Sequence, residues 1–154
     1  MKNVKFDLSN IQSTSSDDVV VHIDKMLFRQ IFFNLFKNGV EAFDYKGTIS
    51  IEIEKMSKQK AHQLYSDKLL LGVDETVVIT KVKDSGKGIK KEYMDKIFSP
   101  FFTTKSNGNG LGLAVAWKIV KTHGGDLIVE NNSKGSGAVF TMLLATRIIE
   151  KQGV

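Results

Sequence analysis

The chain has 154 residues, of which 42% are apolar, and this length and composition predict one globular domain with a hydrophobic core. It contains no cysteine, which excludes disulfide frameworks and thiolate metal sites, and no apolar run approaches the roughly 18 residues of a membrane-spanning helix. The formal net charge is +5, but the lysines are interspersed with acidic residues, so we expect a solvated surface with no nucleic-acid partner and no direct membrane contact.

The first third of the chain is predicted to contain two short strands and one long helix. Residues 4–8 and 19–23 have the apolar and β-branched composition of strands. Apolar residues then recur at helical spacing from Lys25 to about Tyr45, and Asp24 can cap the free amides at the start of this helix. Gly47 ends the pattern, so we expect the helix to stop just before it.

The middle of the chain is predicted to hold two strands joined by a long insertion. Residues 48–54 alternate isoleucine with polar residues, as a half-buried strand does, and residues 76–84 also have the pattern of a strand. Residues 56–75, which lie between them, are polar and rich in lysine. This insertion could form either a short helix or a long hairpin, and the pattern does not indicate its role.

The last third of the chain is predicted to contain further helices and strands. A short helix at residues 92–98 is stopped by Pro100, because proline restricts the residue before it to non-helical backbone angles. A helix and two strands follow, at residues 111–122, 127–130 and 138–144. We expect the domain to occupy residues 1–146 and a C-terminal tail to occupy residues 147–154.

Three polar residues of the long helix, Asn34, Asn38 and Glu41, are spaced by four and three positions and therefore share one face. Two amide oxygens on one face suit a hard cation such as Mg²⁺, which keeps most of its waters and bridges to phosphate. A solvated polar face is the alternative, and the Asn-x-x-x-Asn spacing taken alone favours that simpler interpretation.

A sharp turn is predicted in the run from Asp84 to Ile89, where the strand at residues 76–84 ends. Gly86 and Gly88 permit backbone angles and a close ligand approach that larger residues would forbid. Asp84 could accept a hydrogen bond from an exocyclic amine such as that of adenine. An ordinary turn that begins with aspartate is the alternative.

Glycines also lie at the start of the helix predicted at residues 111–122. Gly108, Gly110 and Gly112 lie where free backbone amides and the helix dipole favour an anion such as phosphate. The pattern is not that of a P-loop, and glycines before a helix can serve flexibility alone. Lys105 lies in the flexible segment just before them, where its ammonium could reach a terminal phosphate or simply face solvent.

Taken in order, these segments resemble the nucleotide-binding domain of histidine kinases in the GHKL superfamily. Five motifs of that domain have counterparts here: the N box, the first glycine box, the F box, the second glycine box and the last glycine box, at residues 30–42, 84–89, 97–105, 108–113 and 135–140. Each motif is weak alone, but all of them occur in the family's order and at plausible spacing. The F box and the end of the N box look most like the nitrogen-regulation type of sensor kinase.

The resemblance implies an α+β fold, a two-layer α/β sandwich of the GHKL (Bergerat) type. Its sheet is mixed and mostly antiparallel, its helices lie on one face, and ATP lies between the long helix and a lid at about residues 99–109. By the same resemblance Asp84 contacts the adenine amino group, Asn38 binds Mg²⁺ and Asn34 lies near the phosphates. Lys105 contacts the γ-phosphate, so Asn34 and Lys105 are the implied catalytic residues.

The residues that the resemblance implies for binding Mg-ATP come from all of these motifs. They are Asn34, Asn38, Asp84, Gly86, Gly88, Ile89, Phe98, Thr104, Lys105, Gly108, Gly110, Leu111 and Gly112.

The implied activity is that of a protein-histidine kinase, but the acceptor histidine is expected elsewhere. His22, His62 and His123 are each more simply explained as structural or surface residues. We therefore expect a cytoplasmic catalytic fragment that donates the γ-phosphoryl of ATP to a histidine on a separate dimerisation domain. A response regulator would receive it next, and dimerisation is expected only for the full-length kinase.

Two alternatives to the kinase interpretation remain. In the ATPase branches of the same superfamily a glutamate on the N-box helix activates water. Asn34 occupies that position here, and an amide cannot accept a proton as a carboxylate does, which favours transfer over hydrolysis. A nucleotide-binding module without catalysis is the other alternative.

Overall fold

The computed structural model describes residues 3–8, 19–21, 23–65 and 76–148. Within these residues the chain forms strands and helices that build one five-stranded sheet, one two-stranded sheet and a helical layer. The strands are β1 (Asn3–Asp7), β2 (Val19–Val20), β3 (Lys46–Ser57), β4 (Thr76–Asp84), β5 (Asp126–Asn131), β6 (Ala138–Ala145) and β7 (Arg147–Ile148). The α-helices are α1 (Lys25–Ala42), α2 (Lys58–Tyr65) and α3 (Gly112–Thr122).

The five-stranded sheet has the strand order β1-β3-β4-β6-β5, which places β4 in its middle. β1 pairs with β3 in parallel, whereas the β3–β4, β4–β6 and β5–β6 pairs are antiparallel. The predicted α+β class with a mixed, mostly antiparallel sheet is confirmed. Because β4 is central, the residue at its end, Asp84, lies between Ile49 of β3 and the start of β6.

Helix α1 begins where the sequence predicts, because Asp24 caps it. The Oδ1 atom of Asp24 accepts hydrogen bonds from the backbone amides of Met26 at 2.8 Å and Leu27 at 3.0 Å. Such a cap satisfies amides that have no partner within the helix. Ile31, Leu35 and Gly39, at a spacing of four, form its buried stripe and direct the helix onto the sheet.

Helix α1 ends three residues earlier than predicted, at Ala42. Asp44 and Tyr45 adopt positive φ angles of 53° and 62°, which are incompatible with a continuing right-handed helix. Gly47 therefore serves packing, since a Cβ atom there would lie 2.5 Å from Cγ of Phe43. The sequence pattern could not distinguish these two uses of glycine.

The sheet is covered on both faces. On one face α1 and α3 enclose the main core, which includes Ile31, Leu35, Val82 and Phe140, all buried. These two helices form the predicted helical layer on one face, whereas the short helix α2 of the insertion is added on the other. On the other face a second apolar cluster lies beneath the insertion, formed by Met56, Ala61, Val77, Ile79 and Leu143.

The predicted insertion contains the helix of its two alternatives. Residues Lys58–Tyr65 form α2, directly after β3, which runs three residues past its predicted end. Ala61 of α2 is completely buried and anchors the helix to the sheet. Residues 66–75 of the insertion lie outside the described part of the chain, as do His22 and the first residues of the chain up to Lys2.

The prediction of a short helix at residues 92–98 is wrong. The chain makes one turn of 3₁₀-helix, Lys91–Tyr93, and then successive turns. The amides of Tyr93, Lys96 and Ser99 each donate to the carbonyl three residues earlier, so no α-helical ladder forms.

Part of the strand predicted at residues 19–23 pairs with part of the predicted C-terminal tail. Of residues 19–23 only Val19–Val20 form a strand, β2, which pairs antiparallel with β7, Arg147–Ile148. The first two residues assigned to the tail are thus part of a small sheet, because the β2 backbone supplies their hydrogen-bonding partners. Residues 149–154 lie outside the described residues. No helix in the described ranges combines the length and apolarity needed to cross a membrane.

Candidate functional site

Helix α3, the end of β4 and the predicted lid all lie against α1 near Asn34, Asn38 and Gly39. The helix packs against α3 and against the end of β4. A Cβ atom built on Gly39 would lie 3.3 Å from Cβ of Asp84, and one on Gly112 would lie 3.4 Å from Oδ1 of Asn34. Residues that are 45 and 78 positions apart in the chain are therefore neighbours here.

Lys105, from the predicted lid, reaches the same face of α1. Its Nζ atom forms an ion pair with Oε2 of Glu41 at 2.5 Å and a hydrogen bond with Oδ1 of Asn38 at 3.4 Å. The side chains of Lys105 and Glu41 are 38% and 25% exposed, so the pair lies in a partly sheltered cleft. Two oxygen atoms on consecutive turns of α1 thus converge on one cation.

Asn34 lies one turn before Asn38, beside the first residue of α3. Within the described residues no side chain caps α3, whose N-cap position is occupied by Leu111. The Leu111 amide itself bonds to Oδ1 of Asn109 at 3.2 Å. The first amides of α3 and its positive dipole end accordingly suit an anion placed beside Asn34.

Asp84 is a buried carboxylate at the end of the central strand, with 5% of its surface exposed. Its Oδ1 atom accepts a hydrogen bond from the amide of Gly86 at 2.8 Å. Burial raises the pKa of Asp84, although hydrogen bonds from the backbone of Gly86 and Ala138 act in the opposite direction. A buried acceptor of this kind selects a ligand that carries a hydrogen-bond donor, because an unpaired polar group would be costly there.

The loop after Asp84 is fixed on two sides. Gly86 packs against α1, since a Cβ atom there would lie 2.8 Å from Cβ of Ala42. Gly88 has a φ angle of 74° and lies so close to Asn131 that a Cβ atom would be 2.7 Å from its Oδ1. Both glycines are thus required by close approach, and Gly88 also by its backbone angle.

Asn131, at the end of β5, holds Ile89 of this loop and was missed from the sequence. Its Oδ1 atom accepts from the Ile89 amide at 2.7 Å, and its Nδ2 atom donates to the Ile89 carbonyl at 2.8 Å. A side-chain amide can make both bonds, as a neighbouring strand would. The sequence offered only an asparagine at a strand end, which is a common residue at that position.

We expect Asn131→Asp to loosen this loop more than its small change in shape suggests. The carboxylate still accepts from the Ile89 amide but places a negative charge against the Ile89 carbonyl, which should lower the free energy of unfolding by about 0.5–1.5 kcal/mol at this exposed position. Urea unfolding measures the change. Asn132→Asp is the control, because the Nδ2 atom of Asn132 lies 3.4 Å from the carbonyl of Ser136, a much weaker bond than the one of 2.8 Å that Asn131 makes. Equal stability of the two variants would contradict the role of Asn131.

Gly137, in the last of the glycine motifs, lies against Asp84 and was also absent from the predicted site. Its φ angle is 96°, and a Cβ atom would lie 1.8 Å from the carbonyl oxygen of Asp84. No side chain fits in that space. The backbone around Gly137 is therefore one wall of the pocket in which the carboxylate is buried.

The predicted lid contains no helix or strand within residues 99–109, all of which are described. It is closed at its base, because the Phe101 amide donates to the Gly110 carbonyl at 3.0 Å. Gly110 has a φ angle of 67°, and a Cβ atom there would lie 2.4 Å from the carbonyl carbon of Phe101. Gly108 closes a smaller turn through its amide and the Lys105 carbonyl, at 3.3 Å.

Two other predicted binding residues lie in the core and on the surface of the lid. Phe98 is partly buried and packs against the main core, which it shares with Ile89. Thr104 is exposed on the lid. Their contribution to ligand binding remains a prediction.

A family model described as "Histidine kinase-, DNA gyrase B-, and HSP90-like ATPase" matches residues 23–148. The chain therefore belongs to this family. The matched region contains α1, the lid and the glycine-containing loops whose geometry is given above.

Similar proteins of known name assign the chain to a narrower class within this family. Sensor histidine kinase ZraS of Salmonella typhimurium is 39% identical over 124 residues, which cover 80% of this chain and 23% of ZraS. Sporulation kinase E of Bacillus subtilis is 30% identical over 148 residues, which cover 94% of this chain and 18% of that kinase. This chain is accordingly an ATP-binding catalytic domain of the sensor histidine kinase kind, and it spans less than a quarter of the length of these curated relatives.

Solved structures agree with this class. The nucleotide-free catalytic domain of histidine kinase ThkA matches with a TM-score of 0.64 at 33% identity, covering 93% of this chain and 79% of that one. The predicted fold and the predicted membership of the histidine kinase group are confirmed.

Proposed function

We propose that this domain binds Mg-ATP between α1 and the lid and donates the γ-phosphoryl group to a histidine on a dimerisation domain outside this chain. The observation that carries the proposal is the convergence of Asn34, Asn38 and Lys105 on one side of α1. The buried Asp84 lies against Gly39 of the same helix. An adenine amino group at Asp84 and phosphates near Asn34 would give the nucleotide one orientation along the helix.

The cation side of the site fits Mg²⁺ by the chemistry of its donors. Oδ1 of Asn38 and Oε2 of Glu41 are hard oxygen atoms, and the ammonium group of Lys105 already lies against both. Asn38 would hold Mg²⁺, which neutralises phosphate charge when bound. The remaining ligands would come from water and phosphate, as is usual for this ion.

The phosphate side needs positioning and positive charge more than a base. Lys105 can move from α1 to the γ-phosphate because it is carried by a segment without regular structure. Free amides at the start of α3 would support the other phosphates. Neutral imidazole attacks without first losing a proton, so Asn34, which cannot act as a base, is compatible with transfer and disfavours activation of water.

The transfer is tested by mixing the domain with the helical dimerisation domain of its own kinase and γ-labelled ATP. Label that is stable to base and labile to acid on the partner is the expected result, since phosphohistidine has that stability. Asn38→Ala should reduce the labelling by roughly 100-fold, because Mg²⁺ loses its amide ligand. Release of inorganic phosphate without label on the partner would instead support the ATPase alternative.

The same proposal extends to location and partners. Because it needs ATP, we place the domain in the cytoplasm, with a response regulator receiving the phosphoryl group after the histidine. Assignment to the nitrogen-regulation type of kinase stays a prediction.

A further inference from the structure

The predicted site gives Glu41 no role, although its carboxylate lies beside Asn38 on the polar face of α1. It follows Asn38 by three residues, so the two side chains are adjacent on the helix surface. The ammonium group of Lys105 bridges them, at 2.5 Å from Oε2 of Glu41 and 3.4 Å from Oδ1 of Asn38.

This arrangement already has the composition of a cation site. A carboxylate oxygen and an amide oxygen face one positive charge in a cleft that is partly sheltered from water. A second cation at the same oxygens would lie within a few ångströms of the ammonium, where the repulsion between like charges is strong. Lys105 and a metal ion therefore cannot occupy these oxygens together.

We propose that Glu41 and Asn38 form a shared cation site for which the Lys105 ammonium and Mg²⁺ compete, so that metal entry releases Lys105 from α1 toward phosphate. Glu41 thereby acts as a positioning residue: it holds Lys105 on α1 until a divalent cation takes its place. The inference rests on the proposed function, since it uses the same metal and the same lysine.

The exchange couples the binding of Mg²⁺ to the release of Lys105, and the proposed transfer needs both in the same complex. The lid is tied to α1 by the Lys105–Glu41 pair, and its own turns depend on the amides of Phe101, Lys105 and Gly108. When Mg²⁺ takes the oxygens of Glu41 and Asn38, Lys105 loses both partners and the lid loses its contact with α1. ATP without metal has to break the ion pair unaided, so it should bind less well.

The first test follows amide hydrogen exchange of the lid without nucleotide. Glu41→Gln should raise the exchange of the Phe101, Lys105 and Gly108 amides by about two- to fivefold, which corresponds to the loss of one partly exposed ion pair. Glu52→Gln is the matched control, because Glu52 forms an ion pair of the same length with Lys83 on the sheet and is similarly exposed. It should leave the lid unchanged.

Magnesium chloride, added without nucleotide, tests the competition itself. Mg²⁺ should raise lid exchange in the unaltered domain toward the level of Glu41→Gln, and should do so more than sodium chloride of equal ionic strength. The variant should not respond. Equal effects of the two salts, or lid exchange that is the same in Glu41→Gln and the unaltered domain, would overturn the proposal.

The second test compares the affinity for ATP with Mg²⁺ and with a chelator. In Glu41→Gln the ratio of the two affinities should shrink by about two- to fivefold, because metal-free ATP gains a released Lys105. Adding Lys105→Met to Glu41→Gln should remove that gain. ATP that binds with an unchanged ratio refutes the exchange alone. Absence of ATP binding in both conditions refutes the proposed function, and the lid measurements then still decide the exchange.

Discussion

Asp84→Asn is expected to weaken the binding of Mg-ATP by roughly 10- to 100-fold, because a hydrogen bond to a buried charged acceptor is worth about 1.5–3 kcal/mol. The substitution keeps the size of the side chain and can keep the bond from the Gly86 amide to Oδ1. It replaces the second carboxylate oxygen by a donor, which would meet the adenine amino group donor to donor. Calorimetric titration with Mg-ATP measures the loss.

The same substitution should stabilise the fold near neutral pH. Burial raises the pKa of Asp84, so the folded protein favours the protonated carboxyl more than the unfolded chain does. Its favourable contribution to folding is therefore complete below the ordinary pKa of aspartate and is lost as the pH rises through the raised pKa. Urea unfolding should find Asp84→Asn more stable than the unaltered domain at neutral pH, with the difference vanishing in acid.

Asp126→Asn supplies the comparison for both measurements. Asp126 lies at the start of β5 and pairs with Lys121 at 3.5 Å, away from the α1 cleft. This variant should bind Mg-ATP normally and should not gain stability at neutral pH. If Asp84→Asn also bound Mg-ATP normally, Asp84 would not be the residue that accepts a hydrogen bond from the adenine amino group.

Gly137→Ala is expected to lower the free energy of unfolding by about 3 kcal/mol or more, and to reduce ATP binding with it. The added Cβ atom would lie 1.8 Å from the carbonyl oxygen of Asp84, so the backbone that presents the carboxylate has to move. Alanine is also strained at the φ angle of 96°.

Gly124→Ala separates these two causes. Gly124 also has a positive φ angle, 73°, but a Cβ atom there would meet nothing within 4 Å. It should therefore cost only the backbone strain, about 1–2 kcal/mol, and leave ATP affinity unchanged. Urea unfolding and ATP titration of both variants check the difference. Similar losses at the two positions would show that strain alone explains Gly137.

Several helices and strands could be predicted from patterns of neighbouring residues in the sequence. Asp24 predicted the start of α1, and the strand at residues 76–84 was predicted with the bounds that β4 has. These features depend on neighbours in the sequence, namely a cap and an alternation of apolar residues. The end of α1 could not be predicted, because Asp44 and Tyr45 have positive φ angles that are uncommon for their residue types.

Contacts between segments far apart in the chain could not be predicted from such local patterns. Nothing near Asn131 in the sequence indicates that its amide holds the backbone of Ile89, 42 residues earlier. Likewise, the insertion was seen as polar, but only the packing of Ala61 beneath β3 and β4 showed which face of the sheet α2 covers.

The sequence by itself determined the class of domain, because the order of its motifs and the spacing of Asn34 and Asn38 depend on the chain alone. Only the tertiary structure decided what surrounds those residues. It placed Lys105 between Asn38 and Glu41, and the backbone at Gly137 against Asp84, since both contacts arise when segments far apart in sequence pack around one helix and one strand end.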